Sequence, residues 1–327
     1  MAALRKEEII MGKIADAIDD IVDGIVDAIE TAITKMLAGG ASSMIQESLN
    51  LFKSGLKIDD GSTIGEGLTT MPNDYNSSVW AIVYKICTNI VAPFGGMILV
   101  IILLYELLNM VMEGNNFREF DTAIFFKWIF KALCGIILIS HTTDIIIGLF
   151  SLGNDVTRLA LVEVDKDMLN LDVNTIASQI NDMLVDEHKA DWGVLIVFLM
   201  FSFVMFLVML VSLVIVMLVV ISRLIEAFMY IAVAPIPMST FMNKEWGTIG
   251  TNWIRNILAL AFQGLFIVVA LGVFQAMFVS SVQGLIDNSK ETTKMYLSMV
   301  NCIVWAVALC FTIFKSSSIS KSIFNAH

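Results

Sequence analysis

Residues 192–222 read WGVLIVFLMFSFVMFLVMLVSLVIVMLVVIS and contain no Asp, Glu, Lys or Arg. At roughly 1.5 Å per residue, an α-helix of this length measures about 46 Å. The hydrocarbon core of a bilayer is about 30 Å thick, so roughly 20 apolar residues are enough to cross it. The stretch therefore predicts a transmembrane helix that tilts or projects beyond the membrane.

The composition of the whole chain agrees with this first stretch. Of its 327 residues, 57% are hydrophobic and 16% are charged, whereas soluble domains average about 45–50% apolar and about 25% charged residues. These values exclude a soluble enzyme, a disulfide-stapled secreted domain and a disordered tail. The formal net charge of −11 also argues against direct high-affinity binding of nucleic acid, because such binding needs clustered Lys and Arg.

Further apolar stretches predict additional transmembrane helices at about 80–112, from near 122, at about 253–285 and at about 295–314. The stretch 223–242 is also apolar apart from Arg223 and Glu226, but Pro235 and Pro237 interrupt it. It could form a sixth span or a re-entrant element buried among other helices. The predicted fold class is therefore an all-α polytopic helical membrane protein with five or six transmembrane helices.

The first 79 residues form a separate acidic segment before the predicted transmembrane domain, 80–327. Apolar residues recur there at three- and four-residue steps, which predicts an amphipathic helix; they are Ile14, Ile18, Ile21, Ile25, Ile29, Ile33 and Met36. The opposite face is acidic, whereas helices that lie on membranes usually have a basic polar face. We therefore expect this helix to pack against protein, either its own chain or another. Gly39 and Gly40 are expected to end it, and Asp60-Gly61 predicts a later turn.

Charged residues near the span ends predict the topology. If residues 223–255 stay on one side, that side collects Arg118, Lys127, Lys131, Arg223, Lys244, Arg255, Lys315 and Lys321. The acidic N-terminal segment and an acidic loop at about 145–191 then share the opposite side. The positive-inside rule makes the first side cytoplasmic, with five spans, the N-terminus outside and the C-terminus inside. A six-span alternative leaves the N-terminus in the cytoplasm and Arg118 outside.

Ionisable residues and prolines within apolar segments are functional candidates by default. The candidates are Glu106, Lys127, Lys131, Arg223, Glu226, Pro235 and Pro237. Arg223 and Glu226 are three residues apart, so they could pair on one helix face. The alternative interpretation is that these charges only anchor span ends, with the lysine stems reaching toward the lipid headgroups.

Small residues at helical spacing mark two candidate packing faces. One row contains Gly264, Gly272, Ala276, Ser280 and Gly284, and the other contains Ser298, Cys302, Ala306 and Cys310. Small residues on one face let membrane helices approach closely. Such faces could serve contacts within one subunit or between subunits of an oligomer, and the pattern leaves both open.

The sequence contains no Walker A, HExxH, GxSxG or GxGxxG motif. Its four cysteines form no CxxC pair and its three histidines are scattered, so neither a disulfide framework nor a metal centre is expected. We therefore predict no catalytic residue, no metal and no cofactor.

Several stretches resemble the TrbL-type polytopic inner-membrane subunits of conjugative type IV secretion systems, in the branch carried by integrative elements of Firmicutes. The resembling stretches are AIFFKWIFK (123–131), APIPMST (234–240), EWG (245–247), WIR (253–255), AFQG (261–264), CFTIFK (310–315) and SIFNAH (322–327). Their order and spacing extend over most of the chain from residue 80 onward, whereas the N-terminal 79 residues share only an acidic, polar character with the family.

The resemblance implies a structural, channel-scaffold subunit of an inner-membrane complex that supports DNA and protein transfer. It implies a ring-like homo-oligomer in the lipid of the cytoplasmic membrane, with a secretion ATPase, a coupling protein and pilus or surface components as partners. The alternative from the residues alone is a stand-alone secondary transporter or ion channel. In that hypothesis the proline-broken stretch 223–242 forms a site at the middle of the membrane, as discontinuous helices do in transporters.

Overall fold

The computed structural model describes residues 2–56, 63–113, 122–169, 172–188, 191–288 and 290–326. These residues are almost entirely helical and contain no strand. The helices are α1 (Ala2–Leu56), α2 (Thr63–Thr69), α3 (Pro72–Tyr75), α4 (Ser77–Lys85), α5 (Ala92–Glu113), α6 (Thr122–Ser140), α7 (Thr142–Leu169), α8 (Val173–Glu187), α9 (Trp192–Val233), α10 (Pro235–Ser239), α11 (Gly247–Asp287) and α12 (Thr292–Ile323). A π-helical turn (Ile86–Val91) joins α4 to α5, and a 3₁₀ turn (Thr240–Met242) follows α10. The predicted turn at Asp60-Gly61 and the basic residue Arg118 lie outside the described residues.

Five helical segments of the described chain are long and apolar enough to cross a membrane. They are Ser77–Met112, Thr142–Val164, Trp192–Val233, Gly247–Asp287 and Thr292–Ile323. Many large hydrophobic side chains on these segments are exposed, as expected for a surface that faces lipid rather than water. The predicted fold class, an all-α polytopic helical membrane protein with five or six transmembrane helices, is confirmed. The five segments differ from the predicted spans in one place, because they include Thr142–Val164 and do not include α6, where a span was predicted from near residue 122.

The predicted loop at 145–191 is wrong, because the structure shows helices α7 and α8 there. Helix α7 begins directly after His141, and hydrogen bonds from His141 N to Ile137 O and from Ile145 N to His141 O, both 3.0 Å long, continue the helical pattern across the junction. Buried residues recur along α7 at helical spacing, namely Ile146, Phe150, Asn154, Thr157 and Leu161. This packed face stabilises a helix although acidic residues occupy the exposed face.

The N-terminal helix also extends further than predicted. Gly39 and Gly40 lie inside α1, which continues to Leu56. A Cβ atom on Gly40 would lie 3.3 Å from Leu199 Cδ1, so this glycine allows close helix packing instead of ending the helix. The usual cost of a glycine within a helix, about 0.5–1 kcal/mol relative to alanine, is small beside the packing that the second half of α1 gains.

The ambiguous stretch 223–242 does not form a separate span. Helix α9 continues to Val233, and Pro235 then begins the short helix α10. Proline has no backbone N–H and clashes with the preceding helical turn, so it ends α9. The five residues of α10 are too few to cross a bilayer. The stretch therefore consists of the end of α9 followed by the short helix α10 and the 3₁₀ turn.

One compact unit contains Met1–Lys53, Asn170–Ser212 and Gln275–Val307. Its helix α8 is amphipathic and begins at Asp172, whose Oδ1 atom accepts hydrogen bonds from the backbone of Asn174 (3.1 Å) and Thr175 (3.2 Å). Hydrogen bonds from Thr175, led by its hydroxyl, lower the pKa of the Asp172 carboxyl. The buried face of α8 consists of Val173, Ala177, Ile180, Met183 and Leu184.

The second compact unit contains Ser54–Leu169, Leu213–Phe274 and Ala308–His327. Its core includes Ile146 and Phe150 from α7, Phe228 from α9, Met238 from α10 and Ile257 from α11. Helices α9, α11 and α12 contribute residues to both units. Seven of the predicted candidate residues, from Glu106 to Pro237, lie in this second unit.

Candidate functional site

The most deeply buried charge among the candidates is Arg223 of α9, which is 5% exposed. Its Nε atom donates a hydrogen bond to the Leu260 carbonyl oxygen (3.0 Å), and Nη1 donates to the Leu68 carbonyl oxygen (3.3 Å). Nη2 donates to Asn154 Oδ1 and to the Ala261 carbonyl oxygen, both at 3.1 Å. The guanidinium thus links α9 to α2, α7 and α11. We call these five residues the arginine junction.

Every acceptor in the arginine junction is electrically neutral. Among the described residues, no carboxylate forms an ion pair with Arg223. Taking a charge out of water costs several kcal/mol, and each hydrogen bond that involves a charged group returns about 1.5–3 kcal/mol. Four such bonds compensate much of the cost, so the junction is stable only while its helices stay together.

Two glycines make room for the arginine junction. A Cβ atom on Gly264 would lie 3.2 Å from Arg223 Nη1 and 3.1 Å from Thr157 Oγ1. A Cβ atom on Gly153 would lie 2.5 Å from the Ala261 carbonyl oxygen, a distance that real Cβ atoms do not adopt. The close approach of α7 to α11 therefore requires glycine at position 153. It places Asn154 beside the guanidinium.

The predicted pairing of Arg223 with Glu226 is wrong. Glu226 instead accepts a hydrogen bond from Lys321 of α12, with Nζ and Oε1 3.1 Å apart. The Glu226 side chain is 29% exposed, whereas Arg223 turns into the interior, where four acceptors surround its guanidinium. The two residues are close in sequence but serve different helix contacts.

A second polar cluster lies where α5, α6 and the chain after α10 meet. Glu106 Oε1 accepts a hydrogen bond from Lys131 Nζ in an ion pair, and Glu106 Oε2 accepts one from Asn243 Nδ2 at 2.7 Å. Asn243 Oδ1 in turn accepts hydrogen bonds from the backbone N–H groups of Glu245 (2.8 Å) and Trp246 (3.1 Å). We call Glu106, Lys131 and Asn243 the glutamate junction. Its charges are paired and partly exposed.

The proline element between these junctions is held by close backbone contacts. A Cβ atom on Gly95 of α5 would lie 2.7 Å from the Pro235 carbonyl oxygen, and one on Gly250 of α11 would lie 2.7 Å from the Pro237 carbonyl oxygen. The Gly250 N–H also donates a hydrogen bond to Thr240 Oγ1 (3.0 Å). Both prolines are buried, so α10 is a packed part of this unit.

The other predicted residues are dispersed. Lys127 is exposed on α6, one turn from Lys131. The small-residue face of α11 does not act as one surface: Gly264 packs on Thr157, and a Cβ atom on Gly272 would lie 3.0 Å from Val164 Cγ2, whereas Ala276 and Ser280 are exposed.

Within the first unit, small residues pack between α11 and α12 and between α9 and α12. A Cβ atom on Gly284 of α11 would lie 3.6 Å from Ser298 Oγ of α12. Cys302 and Ala306 are buried, and the Ala306 carbonyl oxygen accepts a hydrogen bond from Ser212 Oγ of α9 (3.3 Å). These contacts lie within one chain.

The sequence reasoning missed Asn154, Asn243 and the two glycines at 95 and 153. A detectable signal existed for Asn154, since it occupies the buried helical face of α7 where an apolar residue is expected, and a buried amide needs a partner. No comparable signal marked Asn243, because an Asn shortly after two prolines is equally typical of an ordinary turn.

Among the described residues, no group of three or more His, Cys, Asp or Glu side chains could hold a metal ion. Four of the charged candidates form helix-to-helix links, namely Glu106, Lys131, Arg223 and Glu226. The described contacts present no nucleophile activated by a neighbouring base. The chemistry that the site offers is therefore hydrogen bonding and ion pairing between helices.

Comparison with known proteins relates the chain to a family of conjugal transfer proteins. The family model described as TrbL/VirB6 plasmid conjugal transfer like protein matches residues 58–235, which is more than half of the chain and includes Leu68, Glu106, Lys131, Asn154 and Arg223. No curated protein and no solved structure matches the chain. This multi-pass membrane protein therefore belongs to the TrbL/VirB6 plasmid conjugal transfer-like family.

Proposed function

We propose that this chain is a structural, channel-scaffold subunit of the inner-membrane complex of a conjugative type IV secretion system, and that it supports the transfer of DNA and protein. The observation that carries the proposal is the arginine junction. Its buried charge holds four helices together, as expected for a residue that maintains a scaffold. Family membership supports the link to conjugal transfer.

In this proposal the chain is not an enzyme and takes its energy from partners. A secretion ATPase and a coupling protein meet its cytoplasmic side, and pilus or surface components meet the outer side. Several copies form a ring in the cytoplasmic membrane. The net charge of −11 supports delegating DNA binding to those partners.

The described contacts favour a scaffold over a stand-alone transporter. A transporter site at a broken helix needs backbone groups that face a cavity or substrate. Here the Pro235 and Pro237 carbonyl oxygens each face a glycine of a neighbouring helix at close range. The guanidinium of Arg223 is likewise occupied by four protein acceptors.

Transfer frequency tests the function directly. Deleting the gene from the conjugative element should abolish transfer, and expressing the wild-type chain in the same cells should restore it. Transfer must be measured beside membrane abundance of the chain and beside one unrelated membrane activity. Normal transfer by the deleted strain would contradict the proposed function.

Cysteine labelling tests the proposed orientation, with the N-terminus outside and the C-terminus in the cytoplasm. Ser178 of α8 is exposed, so Ser178→Cys should react with an impermeant maleimide added to intact cells. Lys315→Cys, near the opposite end of the last span, should react only after the membrane is opened. The reverse labelling pattern would contradict this orientation.

A further inference from the structure

Helix α1 exposes a row of large apolar side chains that no described part of the chain covers. Ile21 is 62% exposed and Met36 is 79% exposed, and the residues between them in the row are about half exposed. Gly24, on the edge of the row, has no atom within 4 Å of where its Cβ would be. We call Ile18, Ile21, Val22, Ile25, Val26, Ile29 and Met36 the apolar face of α1.

The direction of this face distinguishes it from ordinary core packing. At about 100° per residue, the apolar face covers an arc of roughly 140° around the helix. The acidic residues Asp16, Asp19, Asp20, Asp23, Asp27 and Glu30 fall on the opposite side of the helix. In this part of α1, the two classes of side chain do not mix.

The second half of α1 packs on the rest of the chain through the side opposite the apolar face. Its buried residues include Ala38, Ala41, Ile45 and Phe52, and the same projection puts them in line with the acidic residues of the first half. The apolar face therefore points away from the helices on which α1 packs. An extension of the existing core would have placed apolar residues in line with Ile45 instead.

The charge pattern indicates which kind of molecule covers the apolar face. A helix that lies on a membrane usually carries Lys and Arg on its polar face to attract anionic lipid, and no Lys or Arg lies between Lys13 and Lys35. A basic protein would have to reach carboxylates on the far side of the helix. A second copy of α1 meets neither problem, since two or more apolar faces can join while all the acidic residues stay in water.

Small residues border one edge of the apolar face, since Gly24 and Ala28 lie just beyond Ile21 on the helical projection. The opposite edge ends at Val22 and Val26. In a parallel bundle this valine edge of one helix can pack over the small residues of the next, and such head-to-tail contacts repeat around a closed ring.

We propose that the apolar face of α1 is a contact surface between copies of this chain, in which parallel α1 helices form a bundle with their acidic sides outward. The inference deepens the proposed ring-like scaffold by naming a surface that joins its subunits. The biological purpose of the contact rests on the proposed function. The contact surface itself is inferred from the exposure of the apolar side chains and from the position of the acidic ones.

Crosslinking of the full-length chain in native membranes tests the proposal. Ile25→Cys lies at the centre of the apolar face and Asp23→Cys lies on the acidic side of the same helical turn. A short bismaleimide should convert Ile25→Cys to dimers several-fold more than Asp23→Cys or the parent chain with its four native cysteines. Equal yields, or crosslinks of Ile25→Cys only to other proteins, would overturn it.

A second variant guards against a trivial loss of folding. Ile25→Asp should reduce the oligomer measured by size exclusion in mild detergent, whereas Asp23→Asn should leave it intact, both at parental membrane abundance. Unchanged oligomer size for Ile25→Asp would overturn the inference. If the crosslink forms but deletion of the gene leaves conjugation normal, the contact surface is supported and the proposed function fails. If deletion abolishes conjugation but Ile25→Cys gives no crosslink, the proposed function is supported and the contact surface fails.

Discussion

The arginine junction and the glutamate junction solve the problem of a charge among apolar helices in different ways. Arg223 is buried and bound only by neutral oxygens, whereas Glu106 faces both a lysine and an amide. A buried neutral acceptor that loses its donor costs less free energy than a buried carboxylate that loses its cation. The size of the replacement side chain should therefore decide the outcome at Arg223, and charge should decide it at Lys131.

The largest difference is expected between two replacements of Arg223. Arg223→Ala removes a buried side chain and leaves a cavity, which typically costs about 2–5 kcal/mol of unfolding free energy. Arg223→Met fills much of the same space and has no charge to desolvate, but it leaves four oxygens without their donor. It should therefore still destabilise the protein, by less than Arg223→Ala does. Thermal unfolding in detergent measures both.

The same pair of variants tests the role of the charge. If Arg223→Met folds normally and still fails to support conjugal transfer, the guanidinium is needed for function beyond stability. Equal destabilisation by Met and Ala would show that the hydrogen bonds outweigh the desolvation cost, and would contradict the contrast drawn between the two junctions.

A smaller but still clear effect is expected at Gly153. Gly153→Leu forces α7 away from the Ala261 carbonyl oxygen and moves Asn154 away from Arg223, at a cost of about 1–3 kcal/mol. Gly148→Leu on the same helix is the matched control, because no atom lies within 4 Å of its Cβ position. A melting temperature that falls equally for both variants would show that helix α7 tolerates leucine poorly everywhere.

At the glutamate junction, loss of the cation should have an intermediate effect. Lys131→Met leaves the mostly buried Glu106 carboxylate with Asn243 as its remaining partner in the glutamate junction. Losing a hydrogen bond to a charged group costs about 1.5–3 kcal/mol of unfolding free energy. Because the Lys131 side chain is 35% exposed, we expect a cost near the lower end of this range. Lys127→Met, on the exposed face of the same helix, should leave the unfolding temperature unchanged. Similar losses for both lysines would indicate that α6 needs charge for membrane insertion and not for this pair.

The smallest effect is expected for the ion pair of Glu226 with Lys321, because both side chains are about one-third exposed. Glu226→Gln should cost about 0.2–1 kcal/mol. When Glu226→Gln is combined with Arg223→Ala, the two changes in unfolding free energy should add, because the two residues have separate partners. A double-mutant cycle with a coupling energy well above about 0.5 kcal/mol would restore the pairing of Arg223 with Glu226 that the spacing first indicated.

Much of the architecture was predictable because it depends on local properties. Long uncharged runs such as 192–222 identify membrane helices whatever their neighbours, since bilayer thickness sets the required length. The loop predicted at 145–191 failed for a related reason. Acidic residues lowered the mean hydropathy of α7, while its buried face at Ile146, Phe150 and Leu161 shows only as a helical period.

Residue types and spacing thus establish that this chain is a helical membrane protein, that its N-terminal helix separates apolar from acidic side chains, and that Arg223 and Glu106 need special surroundings. The packing of the helices determines which groups these charged side chains bind. Arg223 binds Asn154 and three carbonyl oxygens from distant parts of the chain, although Glu226 is only three residues away. Spacing restricts which side chains can meet along one helix. Burial, and the close helix approach that Gly153 and Gly264 permit, determine which groups meet across helices. The reason is that a buried charge adopts the arrangement that satisfies most of its hydrogen bonds.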